Sequence, residues 1–277
     1  MVQFDTPAVV APDPQANMTD LLVERVKKTP QLALFAVPDG SGWRDITASD
    51  FLNQVVALAK GLVAGGIEPG DKVGFIARTT YEWTLVDFAI FFAGAVMVPI
   101  YETSSPTQIA WNLSDSGAVA CICESADHEA RLQEALAELP NVRSTWAMHK
   151  GDLDALVEQG KSVTDEEIER RRSIAVGADI ATLIYTSGST GRPKGAYSDH
   201  LGVVSGTMNY VCQTAMILQL LTEKGDAPTV QPSALVAVPL FHVTGEVPLF
   251  LQSFAMGRKL VLMPKWDATE ALRLLAD

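Results

Sequence analysis

The chain has 277 residues, 48% of them hydrophobic and 19% charged, the balance of a globular protein with a sizeable core rather than a disordered one. Its 33 acidic against 21 basic residues leave a formal charge of −12, a field that repels phosphate backbones and argues against nucleic acid as a partner. No stretch reaches the roughly 20 apolar residues of a transmembrane segment, and the N-terminal MVQFDTPAVVAPDPQ lacks a basic start and apolar run, so a soluble, cytoplasmic protein is expected.

Residues 1–20 read as an N-terminal arm, with Thr19 placed to cap a helix that runs to Lys28 and stops at Pro30. Leu32–Val37 reads as a strand, followed by a turn at Pro38–Gly42. Thr47 and Asp50 form a capping box for a helix whose apolar stripe is Phe51, Val55, Leu58 and Leu62. Strand Lys72–Ala77, helix Tyr81–Phe92 and strand Val96–Ile100 come next, and Ser105-Pro106 opens another helix. Strand Ala118–Cys123, helix Ala126–Leu136, strand Arg143–Met148 and helix Asp152–Gln159 continue the alternation. The strands are near-continuous apolar runs, hence buried on both faces, and their alternation with helices predicts a parallel sheet in a layered α/β fold.

Cys121, Cys123 and Cys212 form no disulfide framework, and the Cys-x-Cys pair reads as buried small hydrophobes. In the polar stretch 161–177, Asp165-Glu166-Glu167 precede Arg170-Arg171-Arg172. This reads as a solvated helix with neutralised arginines, linking two sheets, rather than a phosphate patch. Arg78, Glu82 and Trp83 read as structural, and His128, His149 and His200 as surface residues without metal-ligand spacing. Trp43, Trp111, Trp146 and Trp266 read as packing residues. At the far end, strand Lys259–Met263 leads to helix Thr269–Leu275, and the sequence reads as stopping inside an α/β unit.

Ile180–Tyr185 is a buried-strand pattern that runs into Thr186-Ser187-Gly188-Ser189-Thr190-Gly191-Arg192-Pro193-Lys194-Gly195, with a long helix expected from about Leu201 to Leu221. A loop at the carboxyl end of a buried strand is where open α/β sheets bind ligands. Hydroxyls and glycine-freed backbone N–H groups suit a polyphosphate, and Lys194 supplies a point charge. The spacing fits neither the Walker loop nor the dinucleotide fingerprint. His242, after strand Ser233–Val238, reads on the sequence alone equally as a pocket residue or a satisfied core or loop residue.

The run Tyr185–Gly195, YTSGSTGRPKG, resembles the phosphate loop of the acyl-adenylate-forming (AMP-binding) superfamily. The resemblance extends from about Leu21 to the C-terminus. Tyr101–Pro106, Asn112–Ala118 and Pro239–Val243 are most similar to the fatty acyl-CoA synthetase branch. It implies the N-terminal region of an enzyme that uses ATP and Mg2+ to convert a fatty acid carboxylate to acyl-AMP and then passes the acyl group to CoA. Thr186, Ser187, Gly188, Ser189, Thr190, Gly191 and Lys194 are then expected to hold phosphates, with His242 beside the acyl pocket. It also implies two sheets, one built from 21–66 and 229–277 and the other from 71–224. The adenine, ribose and C-terminal-domain segments of the family cannot be placed in this chain. The isolated chain is therefore expected to be inactive, with an incomplete second sheet through which it could self-associate. Other readings of the same features are a ligase for another acid or acceptor (an aryl-CoA ligase or acyl-carrier-protein loader) and a non-catalytic nucleotide- or acyl-binding module.

Overall fold

Short apolar runs separated by amphipathic helices leave the chain one economical solution, in which strands stack in parallel and helices cover both faces. The computed structural model describes residues 13–186 and 192–276. In chain order they form α1 (Asp20–Lys28), β1 (Ala33–Asp39), β2 (Gly42–Thr47), α2 (Ala48–Ala64), β3 (Lys72–Ile76), α3 (Tyr81–Phe92), β4 (Val96–Ile100) and α4 (Pro106–Ser116). There follow β5 (Ala120–Cys123), α5 (Ala126–Leu136), β6 (Ser144–Ala147), α6 (Asp152–Gln159), α7 (Asp165–Arg172), β7 (Ile180–Thr186), β8 (Lys194–Asp199) and α8 (His200–Lys224). The last elements are β9 (Ser233–Val236), α9 (Val243–Gly245), a π-helical turn at Glu246–Leu251, α10 (Gln252–Met256), β10 (Lys259–Leu262) and α11 (Ala268–Ala276).

One sheet has the order β6-β5-β3-β4-β7-β8 and the other β2-β1-β10-β9. Every pairing is parallel except β1 with β2 and β7 with β8, which place an antiparallel edge strand on each sheet. β1 pairs with β10, Phe35 opposite Leu260, so the early chain and the last strand share one sheet. Helix α3 lies between the two layers. It is apolar nearly all round and buried from Trp83 to Phe92 apart from half-buried Leu85, the pattern of a helix covered on every side. Phe88 of α3 meets Phe254 at 5.1 Å and Phe51 at 6.0 Å between ring centroids, so both sheets share one core.

The capping boxes at Thr47/Asp50 and Ser105/Gln108 are present, with Pro106 in the first helical turn. Cys121 and Cys123 are buried in β5. Other expectations are corrected. Both edge strands, β2 and β8, are absent from the hydrophobic pattern, because most of their residues face solvent. Thr19 does not cap α1. Its backbone is already helical, and its hydroxyl donates to Asn17 Oδ1 at 2.7 Å and accepts from Arg172 at 2.9 Å. The arginines of α7 are neutralised, but Arg171 and Arg172 are buried rather than solvated. Arg172 pairs with Asp20 and Glu169, and Arg171 with Glu167 and Glu68, which ties α7 to α1 and to the turn before β3. His128 and His200 are buried, not on the surface, and burial lowers the pKa of both. His200 Nδ1 accepts from the Met18 amide at 3.2 Å. Trp266 is exposed, and Trp43 is too. Among the described residues no helix is long and apolar enough to cross a membrane.

Helices α2 and α6 touch at backbone distance through Gly61. A Cβ there would stand 2.5 Å from the Leu156 carbonyl group. Alanine in place of a mid-helix glycine normally gains about 1 kcal/mol. Here the overpacking penalty of about 1–3 kcal/mol wins, because the obstacle is backbone and cannot rotate away. Gly61→Ala is expected to lower stability by about 1–2 kcal/mol, read as a lower urea midpoint at unchanged slope.

Candidate functional site

The phosphate-loop segment connects two strands that pair as a β-hairpin. β7 and β8 pair antiparallel from Ile180 opposite Asp199 to Thr186 opposite Lys194. Thr186 and Lys194, both exposed, therefore face each other across the mouth of the loop. Ser187, Gly188, Ser189, Thr190 and Gly191 lie outside the described residues. Lys194 makes no ion pair among the described residues, so its charge stands open at the loop mouth.

One face of α4 holds both limbs of the hairpin. Trp111 and Asp115, four residues apart, share that face. The Trp111 indole N–H donates to the Pro193 carbonyl at 2.9 Å, and the Arg192 guanidinium lies 4.7 Å from the indole centroid. The Tyr185 hydroxyl donates to Asp115 Oδ2 at 2.8 Å. Burial, followed by the carboxylate, pushes the Tyr185 pKa up and keeps the phenol a donor. Across the hairpin a Cβ on Gly195 would come within 3.1 Å of the Tyr185 ring, so the motif's last glycine permits this close packing.

His242 sits after β9, where the Leu240 N–H donates to Thr79 Oγ1 at 3.1 Å and the Phe241 ring meets Tyr101 at 4.5 Å. These contacts pin the turn to segments that follow β3 and β4. His242 is exposed, and its Nδ1 accepts from the Thr244 amide at 3.2 Å, capping α9 and leaving Nε2 for the proton of the neutral ring. Gly245 is required there, because a Cβ would fall 2.3 Å from the Pro239 carbonyl oxygen. No hydrogen bond joins His242 to Thr186 or Lys194 among the described residues.

A groove of about 480 Å³ runs between β8, α8 and the segment after His242, and Thr186, Lys194 and His242 themselves do not line it. β8 contributes Tyr197, α8 contributes Gly206 and Tyr210, and the segment after His242 contributes Thr244, Val247 and Pro248. A second crevice, of about 650 Å³, opens near the carboxyl ends of β3, β4 and β5, lined by Arg78, Glu102, Ser125, His128 and Arg131. Arg78 is ion-paired with Glu124 and Arg131 with Asp127, while His128 Nδ1 and Arg131 Nε have no hydrogen-bond partner among the described residues. Sequence reasoning gave Trp111 only a packing role and did not single out Asp115 or this crevice. The four-residue spacing puts Trp111 and Asp115 on one helix face but does not reveal the distant partners they meet. Among the described residues no three His, Cys, Asp or Glu side chains gather as a metal-ligand set.

A glycine-rich hairpin at the carboxyl edge of a parallel sheet, beside an apolar groove, defines a nucleotide-handling α/β protein. The chain belongs to the AMP-binding enzyme family, whose profile matches residues 22–277. It is 37% identical over 198 residues to a long-chain-fatty-acid–CoA ligase of Mycobacterium bovis, a match covering 70% of this chain and 33% of the ligase. Against a feruloyl-CoA synthase of Amycolatopsis it is 31% identical over 227 residues, or 82% of this chain and 40% of that enzyme. The fold matches that of the inhibitor-bound N-terminal domain of FACL13 from Mycobacterium tuberculosis with a TM-score of 0.74 at 24% identity, covering 94% of this chain and 60% of that one. The chain thus spans about a third to two-fifths of the length of these curated relatives.

The Tyr185–Asp115 bond should be measurable in isolation. A double-mutant cycle with Tyr185→Phe and Asp115→Ala is expected to give a coupling of about 1 kcal/mol in urea unfolding, limited by the exposure of Asp115.

Proposed function

We propose that this chain is the nucleotide- and acyl-binding part of an AMP-forming acid–CoA ligase acting on a fatty acid. In this reading a carboxylate oxygen attacks the α-phosphorus of ATP, pyrophosphate leaves, and the acyl-adenylate passes its acyl group to the thiol of CoA. The observation that carries it is the groove, because the strand leaving the phosphate hairpin and the turn following His242 line the same cavity. An alkyl chain in that cavity would lie beside a polyphosphate held at the hairpin, and holding the two reactants together is the main service such a reaction needs.

Lys194 is the point charge for the phosphates, and Thr186 with Ser187, Gly188, Ser189, Thr190 and Gly191 supplies their hydrogen-bond donors. The overall charge of −12 makes this local cation more important, since the rest of the surface repels ATP. Mg2+ would arrive on the ATP phosphates and neutralise part of their charge, since the described residues offer no ligand set of their own. His242, whose Nδ1 accepts from the Thr244 amide, directly precedes the groove residues Val243 and Thr244 and would orient the carboxylate through Nε2. The similarity to the feruloyl-CoA synthase keeps aromatic acids as the competing substrate class.

Titration calorimetry with Mg-ATP tests the hairpin. Lys194→Ala should weaken binding at least about tenfold, and Lys161→Ala, on a remote exposed turn, should leave it unchanged. Equal affinity for Lys194→Ala and the parent chain would contradict the reading. In an assembled enzyme, Lys194→Ala should slow acyl-adenylate formation more than thioester formation, measured as separate half-reactions. A panel of long-chain and aromatic acids in the same assay identifies the substrate class.

A further inference from the structure

Two buried acids stand on segments that pack together behind the groove wall, and neither makes an ion pair among the described residues. Asp87, in the middle of α3, is fully buried, and neither of its oxygens has a hydrogen-bond partner among the described residues. Glu246 opens the π-helical turn and is 3% exposed. The two segments pack directly, since Phe88 beside Asp87 meets Phe250 of the turn at 5.5 Å between ring centroids. Val247 and Pro248 of that same turn line the groove. The turn's other attachments are neutral or cationic. Gln252 donates to the Tyr210 carbonyl and to Thr214 Oγ1 of α8, and Arg258 donates to the carbonyls of Pro248 and Leu249.

The ionisable groups on the surrounding elements are engaged elsewhere. Asp50 of α2 sits in its capping box and Lys60 pairs with Asp165. Arg171 and Arg172 of α7 hold their own acids, and His200 of α8 accepts from Met18. On α3 itself Tyr81 bonds Gln54 and Glu82 is exposed. Burial without a counter-charge disfavours an ionised carboxylate, and a second acid nearby disfavours it further. Burial pushes Glu246 up to about 7, and burial followed by the proximity of Glu246 pushes Asp87 well above the usual carboxylate range.

We propose that Asp87 and Glu246 are a positioning pair which, in the acid form, seats the π-helical turn on α3 and holds the Val247–Pro248 wall of the groove, and which releases that wall when it loses its protons. The consequence for the acyl group rests on the function proposed above; the switch itself does not. In the unfolded chain both acids titrate in the ordinary range, so between that range and about pH 7 the folded state holds more protons. Stability contributed by the pair is therefore complete on the acid side and falls as pH rises through that interval.

The test compares the parent chain with Asp87→Asn/Glu246→Gln at about pH 5.5 and about pH 8.5. The advantage of the double variant in melting temperature should be at least about 4 °C larger at the higher pH. Amide hydrogen exchange over residues 243–251, corrected for its chemical rate, should quicken at least about tenfold at the higher pH in the parent and not in the variant. An equal temperature difference at both pH values, or equal loss of protection in both proteins, would overturn the proposal. Glu246→Gln alone should shift both readouts in the same direction, which covers the case in which the double variant does not fold. Neither readout uses ATP, a fatty acid or turnover, so a failed ligase assay and a failed switch remain distinct results.

Discussion

The aromatic cluster on helix α3 is the contact on which the rest of the arrangement depends. Phe88 meets Phe51 of α2, Phe250 of the π-helical turn and Phe254 of α10, so a single side chain touches the early chain and the late chain at once. Phe35 of β1 extends the cluster, meeting Phe51 at 4.8 Å. Without this shared core, the pairing of β1 with β10 would have to close a very long stretch of chain on few hydrogen bonds. With it, the four-stranded sheet sits against the six-stranded one, and the turn bearing His242 is pinned near the ends of β3 and β4 through Thr79 and Tyr101. Packing in the core thus fixes where the hairpin and the turn bearing His242 stand.

The site itself inverts the character of the molecule. A protein of charge −12 presents at the mouth of a hairpin a lysine that makes no ion pair among the described residues, and α4 braces that hairpin by hydrogen bonds on either side. Rigid limbs with a glycine- and hydroxyl-rich tip suit a ligand whose phosphates supply the missing partners. The groove alongside is bounded by β8, α8 and the π-helical turn. Pro248 lacks an amide hydrogen, and the carbonyls of Pro248 and Leu249 are taken up by Arg258, so the widened turn is satisfied locally.

Much of this was legible in the residues. The near-continuous apolar strands, the capping boxes and the Tyr185–Gly195 run each carry their meaning locally, so they could be read without knowing what surrounds them. β8 could not, because Lys194–Asp199 is polar and owes its strand geometry to the hairpin register with β7. β2 is hidden for the same reason, its residues being almost all exposed and held only by β1. His200 and Arg172 look like surface residues in sequence. They are buried because distant segments, Met18 and Asp20 respectively, meet their polar atoms. The bracing role of Trp111 depends on a carbonyl more than eighty residues further along the chain, which no local pattern encodes. The site was thus readable as chemistry and unreadable as assembly.

The central claim is that hairpin and groove are one site. A crystal structure of the chain with a non-hydrolysable Mg-ATP analogue and a long-chain fatty acid tests it most directly. The account predicts the triphosphate at the loop mouth between Thr186 and Lys194, the alkyl chain between α8 and the π-helical turn, and the carboxylate facing the α-phosphate. A triphosphate bound away from Lys194, or an alkyl chain outside the groove, would contradict it.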